Sequence, residues 1–311
     1  MMKHQAKAFP VKQLPSKEKR HQLFGSVKPA PKTKPVDKMH MADLQNTKKD
    51  FLFDLDAVGV TKVKHPILIY SFMPPYTQTS VAEFTFTSSL KQTNKGTNMS
   101  RFIEQLASYQ KNGFSTDLEL LKKFTKDMAK RVEQQDATIE VSFPWFFERQ
   151  APDTSLIGLN HANASIKMEY HETKGFHIQL SLGVSITTLC PCSKEISEYS
   201  AHNQRGNVTM EIRVSDDYQE EDLDWKKVLL EAAESNASAR LHPILKRTDE
   251  KFVTEQAYEN PRFVEDMVRL IAADLYETPF IEKFKVTCQN EESIHMHDAI
   301  AEITYDKTKG I

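Results

Sequence analysis

Two hydrophobic periodicities alternate along the chain from about residue 56 onward. A period of two predicts strands, as where Phe84 and Phe86 stand among polar neighbours. A spacing of three or four predicts amphipathic helices, as for Leu118, Leu121 and Phe124. The predicted strands cover 63–71, 81–90, 137–147, 165–172, 176–189, 207–214, 283–289 and 299–305, and the predicted helices cover 101–109, 117–134, 225–236 and 261–276.

The predicted helices carry recognisable start signals. Ser100, Thr116 and Asp224 stand where a side-chain oxygen would cap a helix N-terminus. Pro261 occupies a favourable first-turn position and is predicted to begin the last helix. Between the last two helices, 238–249 is predicted to be a loop with a short turn.

Each half of the ordered chain therefore follows the order strand, strand, two helical segments, strand. This repetition predicts the α+β class, with antiparallel sheets backed by paired helices, in two modules at 51–160 and 161–311. Residues 1–50 are rich in lysine and proline and have few bulky apolar residues. Because such a segment cannot bury enough apolar surface to offset its ordering entropy, we predict a flexible basic leader.

Composition and charge exclude several classes of protein. The 311 residues have a formal net charge of -2, which argues against a polycationic nucleic-acid binder. No apolar run reaches the roughly 20 residues that a membrane-spanning helix needs, and no secretory signal is recognisable. The 3 cysteines make a poor disulfide framework. We therefore expect a cytoplasmic protein without a nucleic-acid or membrane partner.

Two cysteines provide the first candidate chemistry. Cys190 and Cys192 follow an apolar run, are separated by Pro191, and would point to one side of an extended chain. His202 follows in an unusually polar stretch. Thiolate and imidazole ligands suit Zn²⁺ or a similar metal. Two buried thiols, or a redox pair beside a surface histidine, are the simpler interpretation of the same residues.

A second cluster lies near the C-terminus, where His295, His297 and Asp298 follow two glutamates. Two imidazoles could face one side, with a carboxylate orienting one of them, although a solvated acidic loop would have the same composition. Carboxylates also occur in the helical part of the second half, at Glu250 and Glu265 among others. No spacing rule singles one of them out.

Four motifs in this order resemble the type IB GTP cyclohydrolase I family. They are Cys-Pro-Cys-Ser-Lys-Glu-Ile-Ser at 190–197, Ala-His-Asn-Gln-Arg-Gly at 201–206, Thr-Glu-Gln-Ala-Tyr-Glu-Asn-Pro-Arg-Phe-Val-Glu-Asp at 254–266 and Glu-Ser-Ile-His-Met-His-Asp-Ala at 292–299. Gly-Thr-Asn-Met-Ser-Arg-Phe at 96–102 is also similar, although that family more usually has histidine where Asn98 stands. The resemblance runs from about residue 55 to the C-terminus.

The resemblance implies two tandem tunnelling-fold modules, assembly into a homotetramer, and GTP as substrate. The implied reaction converts GTP and water to formate and 7,8-dihydroneopterin triphosphate, the entry step to tetrahydrofolate. The implied cofactor is a divalent metal, Zn²⁺ or Mn²⁺, with iron and magnesium as further candidates. Such a metal would lower the pKa of bound water for attack on carbon 8 of guanine.

The same resemblance assigns roles to individual residues. The implied metal ligands are Cys190, His202, Glu250 and His295. The implied catalytic residues are Cys192, a second thiol beside the metal that would be a catalytic or redox-sensitive partner, and His297, which would shuttle protons. Glu265 would accept two N–H bonds from the guanine edge, and Lys194 and Arg205 would contact the phosphates.

Two other functions fit parts of this pattern. A tunnelling-fold nitrile reductase of queuosine synthesis would use a cysteine thioimide and NADPH, without histidines around a metal. A non-enzymatic protein with a structural metal would have a closed four-ligand site and would unfold on chelation.

Overall fold

The computed structural model describes residues 13–24, 30–110, 113–215, 217–220 and 223–310. The chain divides into two compact units, residues 1–44 and 45–311. The described part of the first unit contains helix α1 (Lys17–Phe24) and a 3₁₀ turn (Lys38–His40), and all its described residues are exposed. Residues 1–12 and 25–29 of the predicted leader lie outside the described part. The flexibility of the leader stays a prediction.

The second unit is built on one antiparallel sheet of eight strands, which lie in sequence order. Each strand pairs with the strands that precede and follow it, so the sheet is a continuous series of antiparallel neighbours. The strands are β1 (Leu55–Tyr70), β2 (Thr77–Leu90), β3 (Asp136–Gln150), β4 (Ile157–His171), β5 (Gly175–Leu189), β6 (Asn203–Val214), β7 (Ile281–Glu291) and β8 (Ala299–Asp306).

Helices are inserted at three points in this series, and the longer ones occupy two equivalent positions, after β2 and after β6. They are α2 (Ser100–Gln110) and α3 (Leu118–Arg131) between β2 and β3, a short α4 (Pro191–Ile196) between β5 and β6, and α5 (Trp225–Asn236), α6 (Arg247–Glu259) and α7 (Val264–Glu277) between β6 and β7. The order strand, strand, helices, strand, strand thus occurs twice, and the α+β prediction is confirmed. The predicted boundary after residue 160 falls within β4, and the division into two modules stays a prediction.

Alternating burial explains why the strands form one layer of the core. In β6, the inward residues Val208, Met210 and Ile212 are buried, and the residues between them are more exposed. Helix α7 presents Met267, Ile271 and Leu275 from one face, and these side chains join the same continuous apolar cluster as the strands. Full burial of each such side chain contributes roughly 1.5–3 kcal/mol. The sheet and helices are therefore held by one shared core.

The helix start signals were partly right. Asp224 caps α5 as predicted, because its side chain accepts from the Lys226 backbone N–H at 3.0 Å. The predicted Thr116 cap is wrong, since Asp117 Oδ1 accepts from the Leu120 N–H at 2.7 Å. Ser100 is the first residue of α2 rather than its cap.

Helix α6 is the largest departure from the predicted elements. The segment predicted as a loop to residue 249 already enters this helix at Arg247, and the next helix begins at Val264, three residues after Pro261. Only Asp249 and Ala257 of α6 are buried. Because so narrow a face leaves almost no apolar periodicity, the sequence pattern contained little signal for this helix.

Four hairpin connections lie side by side along one end of the sheet. They are residues 71–76, 151–156, 190–202 and 292–298, between successive pairs of strands. The registers place their strand ends at the same edge, since Gln150 pairs with Ile157, Leu189 with Asn203 and Arg205 with Glu291. Within the described ranges, no helix is long and apolar enough to cross a membrane.

Candidate metal and substrate site

A backbone hydrogen bond joins the first and last residues of the 190–202 connection. The Cys190 backbone N–H donates to the His202 carbonyl at 3.1 Å, and the adjacent residues Leu189 and Asn203 pair in the sheet. Pro191 then starts α4, a position where its missing N–H costs nothing. Cys190 is partly buried and Cys192 is exposed. The fold therefore brings the Cys190 and His202 backbones together, as the site prediction requires.

The His202 ring is held by a chain of side-chain hydrogen bonds. Its Nδ1 lies 3.0 Å from Gln204 Oε1, and Gln204 Nε2 donates to Thr188 Oγ1 at 3.0 Å. Gln204 and Thr188 are both buried. Since an amide oxygen only accepts, this arrangement assigns the proton to Nδ1 and leaves the Nε2 lone pair for a metal. Sequence reasoning missed Gln204, although it stands only two residues after His202, at the start of β6.

The 292–298 connection reaches the same place from the neighbouring hairpin. Ser293 Oγ lies 3.4 Å from His202 Nδ1, and the His295 and His297 rings lie against each other with centroids 5.0 Å apart. Gly206 allows β7 to approach β6 here, because a Cβ at this position would lie 2.7 Å from Asn290 Oδ1. The two histidines therefore belong to the loop that adjoins His202.

The complete ligand set is not assembled among the described residues. No group of three or more histidine, cysteine, aspartate or glutamate side chains within them is arranged to hold a metal ion. Glu250 is exposed in the first turn of α6. Its participation, with that of His295, stays a prediction.

Asp249, the neighbour of Glu250, is fully buried and has a structural role. Its Oδ1 accepts from the Asp153 and Thr154 N–H groups at 2.8 and 2.9 Å. Its Oδ2 accepts from Thr154 Oγ1 at 2.6 Å and from the Lys246 N–H at 2.9 Å. Burial would raise the pKa of Asp249, but these hydrogen bonds hold it well below its usual range. Asp249 thereby joins the 151–156 connection to the start of α6.

The predicted substrate-binding residues lie around the same end of the sheet. Lys194 Nζ donates to the Tyr258 carbonyl at 2.5 Å and lies 4.5 Å from the centre of the Tyr258 ring. Arg205 is exposed and pairs across the sheet with Glu291. Glu265 is exposed in the first turn of α7, and the Arg262 N–H just before this helix donates to the Leu189 carbonyl at 2.9 Å. The start of α7 is thus fixed beside the residue that precedes Cys190.

Comparison with known proteins identifies the family of this chain. The family described as type I GTP cyclohydrolase folE2 matches residues 41–301. The chain belongs to this family. The type IB resemblance predicted from the motifs is confirmed.

FolE2 proteins from several bacteria match over nearly the whole chain. GTP cyclohydrolase FolE2 of Oceanobacillus iheyensis is 65% identical over 300 residues, covering 96% of this chain and 99% of that protein. GTP cyclohydrolase FolE2 of Bacillus subtilis is 52% identical over 296 residues, covering 94% and 96%. Among solved structures, uricase from Arthrobacter globiformis is 11% identical, covers 81% of this chain and 93% of its own, and has a TM-score of 0.49. That last similarity is too low to carry a functional conclusion.

The next question is whether the residues at this site are suited to bind a divalent metal. A thiol and an imidazole lie at the two ends of one closed connection, and Gln204 leaves the His202 Nε2 as the free nitrogen. This donor pair fits a borderline divalent metal, and the amide behind the histidine is the kind of partner that metal-bound imidazoles have.

Proposed function

We propose that this protein is a GTP cyclohydrolase that converts GTP and water to formate and 7,8-dihydroneopterin triphosphate, the first step of tetrahydrofolate biosynthesis. Family membership and the names of the FolE2 relatives support this activity. The observation that carries the proposal for the site is the Cys190–His202 backbone pair with its Gln204-oriented imidazole.

Cys190 and His202 would hold a divalent metal together with His295 and Glu250. A thiolate and imidazoles favour Zn²⁺, and the carboxylate of Glu250 would also suit Mn²⁺, iron or magnesium. When bound, such a metal lowers the pKa of water to near neutrality and polarises the reacting centre. Gln204 keeps the His202 proton on Nδ1, so that Nε2 stays available.

The remaining predicted residues have roles at the substrate. Glu265 would accept from guanine N1 and the exocyclic amine, a bidentate contact that adenine cannot reproduce. His297 would donate a proton to the imidazole nitrogen as the guanine ring opens. The exposed Cys192 thiol would lie on the substrate side of α4.

We further propose a cytoplasmic homo-oligomer, with a homotetramer as the expected state. Within the described sheet, β1 and β8 are the two terminal strands, so each has one strand neighbour. Such edges carry backbone groups that a second copy can pair with. Light scattering after size exclusion should give the mass of four chains, and a monomer at micromolar concentration would contradict this assembly.

The decisive experiment measures formate and metal in the same samples. Purified protein supplied with Zn²⁺ or Mn²⁺ and GTP should release formate in proportion to turnover. Cys190→Ala and His202→Ala should lose both bound metal and formate release, since each removes a ligand. His177→Ala is a matched control, because His177 lies near the start of β5, twelve residues before Leu189. Retention of metal and formate by both site variants would refute the proposed site.

A further inference from the structure

A cavity of ≈ 250 Å³ lies at the end of the sheet opposite the candidate site, where β5 begins and β6 ends. Helix α3 also contributes to its wall through Lys122. His177, on the β5 side of the wall, precedes Leu189 by twelve residues of the same strand, about 40 Å along an extended chain. Within one chain, the cavity is therefore separate from the candidate metal and substrate site.

The wall of this cavity is positively charged. Three cations line it, Lys122, Lys174 and Arg213, and none of its described lining residues is an aspartate or a glutamate. Burial, followed by the charge of Arg213, lowers the pKa of His177, so this ring adds no charge near neutral pH. The positive charge of the wall thus comes from the two lysines and the arginine.

These cations retain capacity to bind an anion. Within the described ranges, the Arg213 guanidinium has one ion pair, in which Nε lies 3.1 Å from Glu282 Oε2. Lys174 has no ion pair with a residue in those ranges. Lys122 Nζ lies 2.5 Å from Oε1 of Glu119, a largely exposed carboxylate. Because exposed pairs of this kind contribute little to stability, Lys122 can exchange this partner for another anion.

Neighbouring cations extend the positive charge beyond the cavity. Arg213 lies directly opposite Lys283 across β6 and β7, and like charges in this position destabilise a sheet. A groove of ≈ 330 Å³ adjoins the cavity and shares His177 and Arg213 with it. Three further cations and two carboxylates line this groove, namely Lys283, Lys285, Lys309, Glu211 and Asp306. An anion bound at Arg213 would therefore reduce repulsion between cations at this end of the sheet.

The buried part of the cavity wall is apolar. Val214 and Tyr218 are both buried, and the Tyr218 ring stacks on Phe280 with ring centroids 4.6 Å apart. Phe176, also in the wall, packs against Tyr170 with ring centroids 4.9 Å apart. Each of these two aromatic rings is held by a second ring. The cavity thus combines a fixed apolar surface with a positively charged rim.

We propose that this cavity binds a small phosphate ester that carries an aromatic or other apolar group. The phosphate contacts Arg213 and Lys174, because a guanidinium group binds phosphate in a bidentate manner and an ammonium group supplies a point charge. The apolar group lies against Phe176 and Tyr218. A cavity of ≈ 250 Å³ is below the usual range for drug-sized ligands and suits one ring with one phosphate. This site does not depend on the proposed GTP cyclohydrolase activity.

Phenyl phosphate is a suitable probe, and calorimetry on the full-length protein measures its affinity. Arg213→Gln should weaken binding at least about tenfold, because a charge-assisted bidentate contact is lost. Lys174→Gln, in an exposed turn, should weaken it about threefold or more. The matched control is Lys227→Gln, which removes the same charge from an exposed lysine of α5 and should leave affinity unchanged. Wild-type affinity in both Arg213→Gln and Lys174→Gln would overturn the proposal.

Two further comparisons test the ligand class and the location. Inorganic phosphate should bind about tenfold more weakly than phenyl phosphate, because it has no group to bury against the apolar wall. Equal affinities for the two anions would overturn the assignment to an ester. His202→Ala should bind phenyl phosphate as the wild-type protein does, since His202 lies at the other end of the sheet. Loss of binding in His202→Ala would instead assign the anion to the candidate metal and substrate site.

Discussion

The two pairs of hairpin connections at one end of the sheet differ in what they do. Residues 71–76 and 151–156, from the first four strands, are short and contain no histidine or cysteine. They bind helices of the second half. Ser71 Oγ and the Phe72 N–H donate to Asp224 Oδ2 at 3.1 and 2.9 Å, and the Asp153 and Thr154 N–H groups donate to Asp249.

Residues 190–202 and 292–298, from the last four strands, carry the thiols and imidazoles. The 190–202 connection is long enough to form α4, and the 292–298 connection approaches His202 through Ser293. The comparison indicates that the last four strands carry the proposed ligands, while the equivalent loops of the first four strands fix the starts of α5 and α6. Variants in the two pairs of loops should therefore fail in different ways.

Substituting one residue in each kind of loop should give the clearest separation between loss of activity and loss of stability. His295→Ala should lower formate release more than about 100-fold, beyond the loss expected when only a residue behind a ligand is removed. Ser71→Ala should leave kcat within about twofold and lower the melting temperature, because a buried hydrogen bond to Asp224 is lost. Steady-state kinetics and thermal unfolding of both variants provide the test. A loss of turnover in Ser71→Ala without a change in stability would contradict the division of roles.

A smaller effect is expected from Gln204, which contacts the proposed ligand His202 through Nδ1 and is not itself a proposed ligand. Gln204→Leu should weaken metal affinity about 10- to 100-fold, since the His202 proton and ring are no longer fixed. Metal titration with a competing chelator measures this directly. Asn207→Leu, in the same strand, is the comparison, because Asn207 bonds Ser185 and Glu291 rather than a histidine. Equal metal affinities in the two variants would show that the Gln204 contact has no influence.

Local patterns were sufficient for most elements of the fold. The predicted helix 225–236 matches α5 because its cap and apolar face lie within one short segment. Strand lengths were less predictable, since partners determine them. β4 begins at Ile157 rather than 165 because the additional residues pair with the end of β3. Motif order led to the family, but α6 escaped prediction because its only buried residues are Asp249 and Ala257.

The site could be predicted only in part, because sequence patterns reveal contacts between residues that are close in the chain and not those between distant residues. Cys190 and His202 are close in sequence and belong to one connection, so their proximity follows from a hairpin. Gln204 had a readable signal, since it stands two positions after His202 at the start of β6, and residues two apart in an extended chain point to one side. The contact between Arg149 and Glu234 joins residues 85 apart in the chain and depends on the whole sheet order. No local pattern indicates such a pair.

Asp249 allows the supporting role of the first-half loops to be tested next to a predicted ligand. Asp249→Asn should lower the melting temperature by several degrees, because an amide cannot accept at both positions from four donors. Glu250→Gln, one residue later and exposed, should leave the melting temperature of metal-free protein nearly unchanged. Scanning calorimetry of both metal-free variants is the measurement. A larger loss in Glu250→Gln would reverse the roles assigned to these neighbours.

The smallest expected effect is on how steeply the free energy of unfolding falls at acid pH. The pKa of Asp249 is below its usual range in the folded protein, since hydrogen bonds from Thr154, Lys246 and Asp153 outweigh the opposing effect of burial. The unfolded chain should titrate near the reference pKa of about 3.9. The stabilisation of the folded state by the Asp249 carboxylate is then fully present above that pH. It is lost as the pH falls toward the pKa of Asp249 in the folded protein, because the unfolded state binds more protons. Denaturant unfolding between pH 5 and 3 should show a steeper fall for wild-type protein than for Asp249→Asn, with Thr154→Val between them. Parallel curves for all three would mean that the hydrogen bonds to Asp249 do not contribute to acid sensitivity. The 151–156 connection would then stabilise α6 through packing alone.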